Sequence, residues 1–183
     1  MMEPYFKIPH DPTMAHRISE AMQKSVQEDW EEYWGWRALK LDTESVIEGD
    51  LFLEWLHARH PFKAGILAMQ PWSFYTWHTD GRRGVSVNML VDPRSGTHHS
   101  MFALPRDKSH STGRFIELIY EPNTFYLFDN QIEHAVYNFE GHRFMFSLEF
   151  DEDKSALDFY TLKSEVSQPW LCLNSAGGGT NED

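Results

Sequence analysis

The sequence predicts a mainly β domain, a small closed or sandwiched β-structure with helices from its N-terminal part packed on one side. Three observations carry that prediction. From Ala64 to Phe150, short runs rich in β-branched and aromatic residues follow one another between turn residues. Before Ala64 the apolar residues recur at spacings of three and four, the period of a helix face. Aromatic residues make up 15% of the 183 positions, a ring content suited to a compact β-core.

Asp11 and Pro12 read as the cap and first-turn pair of a first helix, with an apolar stripe through Ile18, Met22, Val26, Trp30 and Tyr33. Thr43 is positioned to cap a second helix carrying Val46, Ile47, Leu51, Leu53, Trp55 and Leu56. That helix must stop before Pro61, because a proline pushes the preceding residue out of the helical region. Strands are expected near Ala64–Met69, Phe74–Thr79, Val85–Val91, Ser100–Leu104, Phe115–Tyr120, Thr124–Phe128, His134–Asn138 and Arg143–Phe150. Between them lie turn formers such as Pro71, Gly81, Gly84, Pro93, Gly113, Pro122 and Gly141. Asp153–Ser164 reads as a last short helix. One domain over 1–170 is therefore expected, with a helical part at about 11–60 and a β-core at about 64–150. Residues 171–183, rich in Gly, Asn and acid, have almost nothing to bury and are expected to be disordered.

A net charge of −12 and a pI near 5.2 argue against nucleic-acid binding, which needs a basic surface to meet phosphates. Such a surface serves solubility and tolerates or attracts basic partners. The single cysteine, Cys172, excludes an internal disulfide and any all-thiolate metal site. No apolar run resembles a signal peptide or a membrane span, so a cytoplasmic protein without membrane contact is the expectation.

His78-Thr79-Asp80 is the sharpest chemical feature. Alternate residues of a strand face one way, so His78 and Asp80 can aim at one point, and Gly81 and Gly84 place the pair at a strand end. His134 offers a third ligand. Two imidazoles and a carboxylate on one face of Fe(II) leave the opposite positions open, the arrangement of non-haem iron oxygenases. Alone, His-x-Asp reads equally as a histidine hydrogen-bonded to a carboxylate at a turn. Arg143 adds weight. It opens a run in which Phe144, Phe146, Leu148 and Phe150 make an apolar face, and Arg143, Met145, Ser147 and Glu149 make the other. An inward guanidinium needs an anion, either a bound carboxylate or an internal acid such as Glu149.

His78-Thr79-Asp80, His134 and Arg143, with strands between them, resemble the 2-oxoglutarate/Fe(II)-dependent oxygenase superfamily. Ala68-Met69-Gln70-Pro71 with Tyr75 to Asp80 is similar to the metal-binding region of its prolyl-hydroxylase-type members. Arg83 to Leu90 is similar to the following strand in those enzymes and in small bacterial and phage relatives. The resemblance covers Ala64 to Phe150. It implies a double-stranded β-helix, a cupin-like jelly roll. It also implies Fe(II) on His78, Asp80 and His134, 2-oxoglutarate on Arg143, and O₂ as oxidant, with ascorbate needed in vitro. Further co-substrate contacts are expected at Tyr75, Gln70, Asn88 and Ser147. Where many relatives carry Ser or Thr two residues after the arginine, this chain has Met145, with Ser147 two further along. The implied activity is a dioxygenase that hydroxylates an unactivated C–H bond of a peptidyl or free amino acid, or of another small molecule, in a monomer or homodimer.

Other readings stay open at this stage. A cupin-like binding or sensor domain would share the barrel and the metal without turnover, and a metal-dependent isomerase or a dioxygenase without the co-substrate would not need Arg143. Zinc is a further possibility for the metal. Asn88 serves equally as a satisfied core amide. His98, His99 and His110 read as an exposed loop or a substrate-recognition segment, Arg82 and Arg83 as turn residues or substrate contacts, His57 and His60 as capping or surface residues, and His142 as a non-ligand facing away from Arg143.

Overall fold

The computed structural model describes residues 3–25, 29–33, 35–91, 97–104 and 113–167. In chain order its elements are β1 (Tyr5–Lys7), α1 (Ala15–Lys24), β2 (Trp30–Tyr33), β3 (Trp36–Lys40), α2 (Thr43–Ile47), α3 (Leu51–Arg59), β4 (Phe62–Met69), β5 (Ser73–His78) and β6 (Val85–Leu90). They continue with β7 (His98–Leu104), β8 (Arg114–Leu118), β9 (Tyr126–Asp129), β10 (His134–Asn138), β11 (Arg143–Phe150) and α4 (Phe159–Val166). The strands form two antiparallel sheets, a larger one in the order β1-β9-β6-β11-β4-β3-β2 and a smaller one in the order β5-β10-β7-β8. Most neighbours in these sheets are distant in sequence, as in a jelly roll and unlike a simple meander.

Two apolar clusters hold the layers together. The alternation in β11 sends Phe146, Leu148 and Phe150 to one side, against Ile18, Val46, Phe52, Leu53 and Leu162 of the helices. Each of these buried side chains contributes about 1.5–3 kcal/mol. On the other side Met145 joins Leu90, Phe102, Leu118, Tyr120 and Phe128 between the two sheets. The mainly β architecture with helices on one side follows the sequence reading, and the facing sheets follow the jelly roll implied by the resemblance.

The N-terminal part differs from its purely helical expectation. The apolar stripe ends with α1 at Lys24, and Trp30 and Tyr33 belong to a hairpin with Trp36 and Leu39. Gly35, at φ 83°, makes the turn between them, a backbone conformation open to glycine. Spacings of three can arise in either structure, and here the aromatic side chains and the open edge of β4 favour strands. α1 starts at Ala15, later than Asp11 implied. The second helix breaks in two at Gly49, φ 75°. Asp50 then caps α3 by accepting from the Leu53 N–H at 3.1 Å. The last helix is shifted because Asp158, not Asp153, accepts the first-turn N–H groups of Tyr160 and Thr161. β1, only three residues long, pairs with β9 and was too short to be recognised by pattern. No helix among the described residues is long and apolar enough to cross a membrane. The tail at 171–183 and His110 lie outside the described residues.

Candidate functional site

The two histidines meet because β5 and β10 are neighbours in register, His134 opposite His78. Their rings lie 4.2 Å apart, centre to centre. A β-bulge makes the arrangement possible. His134 pairs with His78 but Val136 pairs with Tyr75, so β5 carries one residue more than its partner over this stretch. Strict alternation would place Tyr75 and His78 on opposite faces. The bulge turns both toward the cavity between the sheets.

Each imidazole is oriented from behind. His78 Nδ1 lies 2.7 Å from the Thr76 carbonyl, and His134 Nδ1 lies 2.9 Å from the Ile132 carbonyl. A carbonyl only accepts, so both Nδ1 atoms carry hydrogen and both Nε2 atoms present lone pairs when the rings are neutral. Burial pulls the His134 pKa below its ordinary value, which favours the neutral, ligating form.

Asp80 lies two residues beyond β5. Its Oδ2 accepts from Arg83 Nε and Nη2, both at 2.7 Å, and from Asn130 Nδ2 at 2.9 Å. Its Oδ1 is left on the His78 side, 3.6 Å from Nε2. One ligand atom from each of His78, Asp80 and His134 falls within 4.8 Å of the others, the spacing of a metal site. Donor types and geometry fit a divalent ion that accepts nitrogen and oxygen.

Asn130 belongs to a longer chain of buried polar groups. Ser147 donates to Asn88 Oδ1 at 2.7 Å, Asn88 Nδ2 to Ser86 at 2.8 Å, and Ser86 to Asn130 Oδ1 at 3.1 Å. The Asp80 N–H also donates to the Asn130 carbonyl at 3.0 Å, so backbone and side chain grip the same carboxylate residue.

Arg143 opens β11 on the inner face and is 2% exposed. Its Nη2 donates to Ser100 and to Tyr120, each at 3.2 Å, and its guanidinium lies over the rings of Trp36 and Tyr120. Nε and Nη1 have no partner. They are two of only four buried side-chain polar atoms in that condition among the described residues. Glu149, the internal partner considered from sequence, does not reach it. Burial pulls the arginine pKa down, because no carboxylate is there to compensate. A buried fork with two vacant donors is a ready site for a carboxylate, the group at the far end of 2-oxoglutarate.

The cavity that contains His78 and His134 also contains Arg143, Tyr75 and Asn88. Burial raises the Tyr75 pKa, as does the nearby Asp80. Ser147 is buried and faces Asn88 rather than the cavity. Gln70 is not brought to this place. It is exposed, its side chain bonds His142 at 2.9 Å, and it lies on a different surface groove. Nothing in the sequence pattern marks Asn130, Ser86, Ser100, Tyr120 or Trp36 for the site, and Arg83, expected as a turn or substrate-contacting residue, holds Asp80 instead. His98 and His99 begin β7 rather than a loop, with His99 on Glu117 at 2.5 Å. His60 joins α3 to Glu152 and Glu165.

No family model matches the chain, and no curated protein matches its sequence. Its structure does match solved ones. A prolyl-4-hydroxylase from Pseudomonas putida superposes with a TM-score of 0.60 at 13% identity, over 82% of this chain and 94% of that one. A prolyl hydroxylase from Trichoplax adhaerens, in complex with a hypoxia inducible factor peptide fragment, gives 0.59 at 12% identity, over 91% and 88%. HygX from Streptomyces hygroscopicus, with nickel and 2-oxoglutarate bound, gives 0.54 at 9% identity, over 81% and 83%. The chain has the double-stranded β-helix fold of these proteins and of other 2-oxoglutarate/Fe(II) oxygenases.

Proposed function

We propose that this protein is a non-haem Fe(II)- and 2-oxoglutarate-dependent dioxygenase that hydroxylates a C–H bond of an amino acid, free or within a peptide, or of another small molecule. The observation that carries this reading is the pairing of two unfilled requirements across one cavity. At one end stand three metal-ligand atoms on one face, and at the other a buried guanidinium with two vacant donors. When bound there, iron, 2-oxoglutarate and O₂ supply the oxidation, one oxygen atom entering the substrate as the co-substrate loses CO₂ and becomes succinate.

The chain's own residues position and shield. His78, His134 and Asp80 Oδ1 would hold the metal through two imidazole nitrogens and one carboxylate oxygen. Arg143 fixes the far carboxylate of the co-substrate through two donors, with Ser100 and Tyr120 holding the guanidinium in place. Trp36, Leu67, Val136 and Met145 line the cavity between and keep water from the reacting groups. No side chain is required as a general base.

The test is direct. Anaerobically purified protein should bind one Fe(II) and, with 2-oxoglutarate and ascorbate in air, form succinate slowly, and faster once a substrate is supplied. His78→Ala with His134→Ala should lose the metal. Asp80→Ala should stay folded and give little or no hydroxylation. Metal-replete, folded parent protein that never forms succinate would show a binding or sensor domain instead.

A further inference from the structure

The cavity is not closed at its metal end. Tyr33, Leu67 and Arg83 line it and also line a second groove, so the two adjoin. That groove holds about 240 Å³, the share of roughly eight liquid waters at ~30 Å³ each, which suits one side chain rather than a folded partner. Ala38, Gly65, Leu67 and Ser147, on β3, β4 and β11, give it a floor of small and apolar groups.

The charges around it are matched, with one exception. Arg83 is held by Asp80 at 2.7 Å, Lys40 by Glu31 at 2.8 Å, and Lys63 lies 3.8 Å from Asp151. Glu149 lines the groove and is half-buried; it stands opposite Lys63 in the β11–β4 register, yet has no hydrogen bond or ion pair within 4 Å among the described residues. A carboxylate partly withdrawn from water without a partner favours a cation beside it. The protein's net charge of −12 favours the approach of cations as well.

We infer that this groove takes the cationic end of the substrate, an ammonium or guanidinium group seated on Glu149, while the carbon to be oxidised lies toward the metal. The inference rests on the oxygenase reading for what happens at the metal, but not for the binding itself, because Glu149 is neither a metal ligand nor a co-substrate contact. The substrate class is thus a basic amino acid or a basic side chain, in preference to a neutral residue such as proline.

The experiment titrates N-acetyl-L-argininamide and N-acetyl-L-lysinamide, beside neutral N-acetyl-L-citrullinamide and N-acetyl-L-norleucinamide, into the protein by calorimetry. It is run on metal-free protein and on protein loaded with Ni(II) and 2-oxoglutarate. The cationic probes should bind about tenfold tighter than their neutral partners, the range of a charge-assisted hydrogen bond. Glu149→Gln, which keeps the side-chain shape, should erase the difference, and Glu149→Lys should reverse it toward N-acetyl-L-glutamate amide. Equal affinity for cationic and neutral probes, no binding of either cation, or a preference that survives Glu149→Gln overturns the inference. A cation preference in protein that refuses metal and 2-oxoglutarate would keep the groove assignment and remove the oxygenase reading. Metal and co-substrate loading without any preference would do the opposite.

Discussion

Arg143 makes opposite demands on stability and on binding, and the two can be measured apart. In ligand-free protein its guanidinium is 2% exposed with Nε and Nη1 unpaired. Leaving a buried donor of a charged group unmade costs at least roughly 1–3 kcal/mol, here for two donors, while the bonds from the charged Nη2 to Ser100 and Tyr120 return about 1.5–3 kcal/mol each. Arg143→Met, which fills most of the same space, removes both sides of that balance. Ligand-free stability should then stay level or rise by about 1 kcal/mol, a gain of roughly 2–4 °C in Tm for a protein of this size. The parent, given Mn(II) and 2-oxoglutarate at a hundred times Kd, should gain about 2.7 kcal/mol from binding. Arg143→Met should gain nothing from the co-substrate. Arg143→Lys keeps the charge but loses the planar fork, so its co-substrate affinity should fall by roughly ten- to hundredfold, about 1.4–2.8 kcal/mol. Metal affinity should be the same in all three. Differential scanning fluorimetry with and without co-substrate reads every one of these quantities. A large loss of Tm in ligand-free Arg143→Met, or a co-substrate shift that survives it, would make Arg143 a structural residue and defeat the reasoning.

Asn130→Ala removes one of the donors on Asp80 Oδ2 and should weaken metal binding about ten- to hundredfold, as losses behind a ligand usually do, in competition with a fluorescent chelator. Asp50 is fully buried and accepts from His10, from the Thr13 N–H and hydroxyl, and from the Leu53 N–H, so Asp50→Ala should cost about 2–4 kcal/mol in urea unfolding. Burial alone would raise that carboxyl, but His10, Thr13 and Leu53 outweigh it and hold its pKa low. Its stabilising effect is therefore present above the unfolded value near ~3.9 and lost as pH falls through the lower folded value, and Asp50→Asn should flatten the acid limb. Gly84→Ala would put a Cβ 2.3 Å from the Leu157 carbonyl oxygen, so the backbone must move, with an expected loss of about 1–3 kcal/mol in the same assay. Since the Gly84 carbonyl accepts from the Asn130 N–H, metal affinity should fall too. A metal held by His78 and His134 would tie β5 to β10, so hydrogen exchange of the β10 amides should slow on adding Mn(II), and should not in His134→Ala.

The three candidate metal-ligating residues that the structure brings together were legible in the sequence because their pattern is local. His78 and Asp80 are two residues apart, and the turn residues around His134 marked it as the start of a strand. The inner position of Arg143 was legible for a related reason: period-two alternation over eight residues gives its face without knowledge of any neighbour. What could not be read depends on residues far apart in the chain. Ser100 and Tyr120 reach Arg143 across 43 and 23 positions, and Asn130 reaches Asp80 across 50. Tyr75 faces the cavity only because of a bulge, an extra residue that breaks the very alternation used to predict faces. Gln70 went the other way: placed next to the motif by sequence, it bonds His142 outside. The β2–β3 hairpin was hidden because aromatic residues three apart satisfy a helix pattern, and only the edge of β4 decides for strands.

The two cores divide the tasks of the molecule. Between the helices and the larger sheet the buried side chains are almost all apolar, and this layer carries the stability. Between the sheets, Ser86, Asn88, Asn130, Arg143 and Ser147 are buried beside apolar neighbours. Polar groups in such a place must be matched, and from Ser147 to Asp80 each residue donates to the next in one direction. That chain sets the Asn130 amide, which turns its NH₂ to Asp80 Oδ2 and leaves Asp80 Oδ1 on the His78 side. The unfilled groups then stand at opposite ends of the cavity, lone pairs of two imidazoles and one carboxylate oxygen at one, two guanidinium donors at the other. A cation suits the first end and an anion the second. A small dianion that chelates the cation with one end and meets the arginine with the other satisfies both at once, and the matched polar chain beside it keeps Asp80 set for the cation whether or not that molecule is bound.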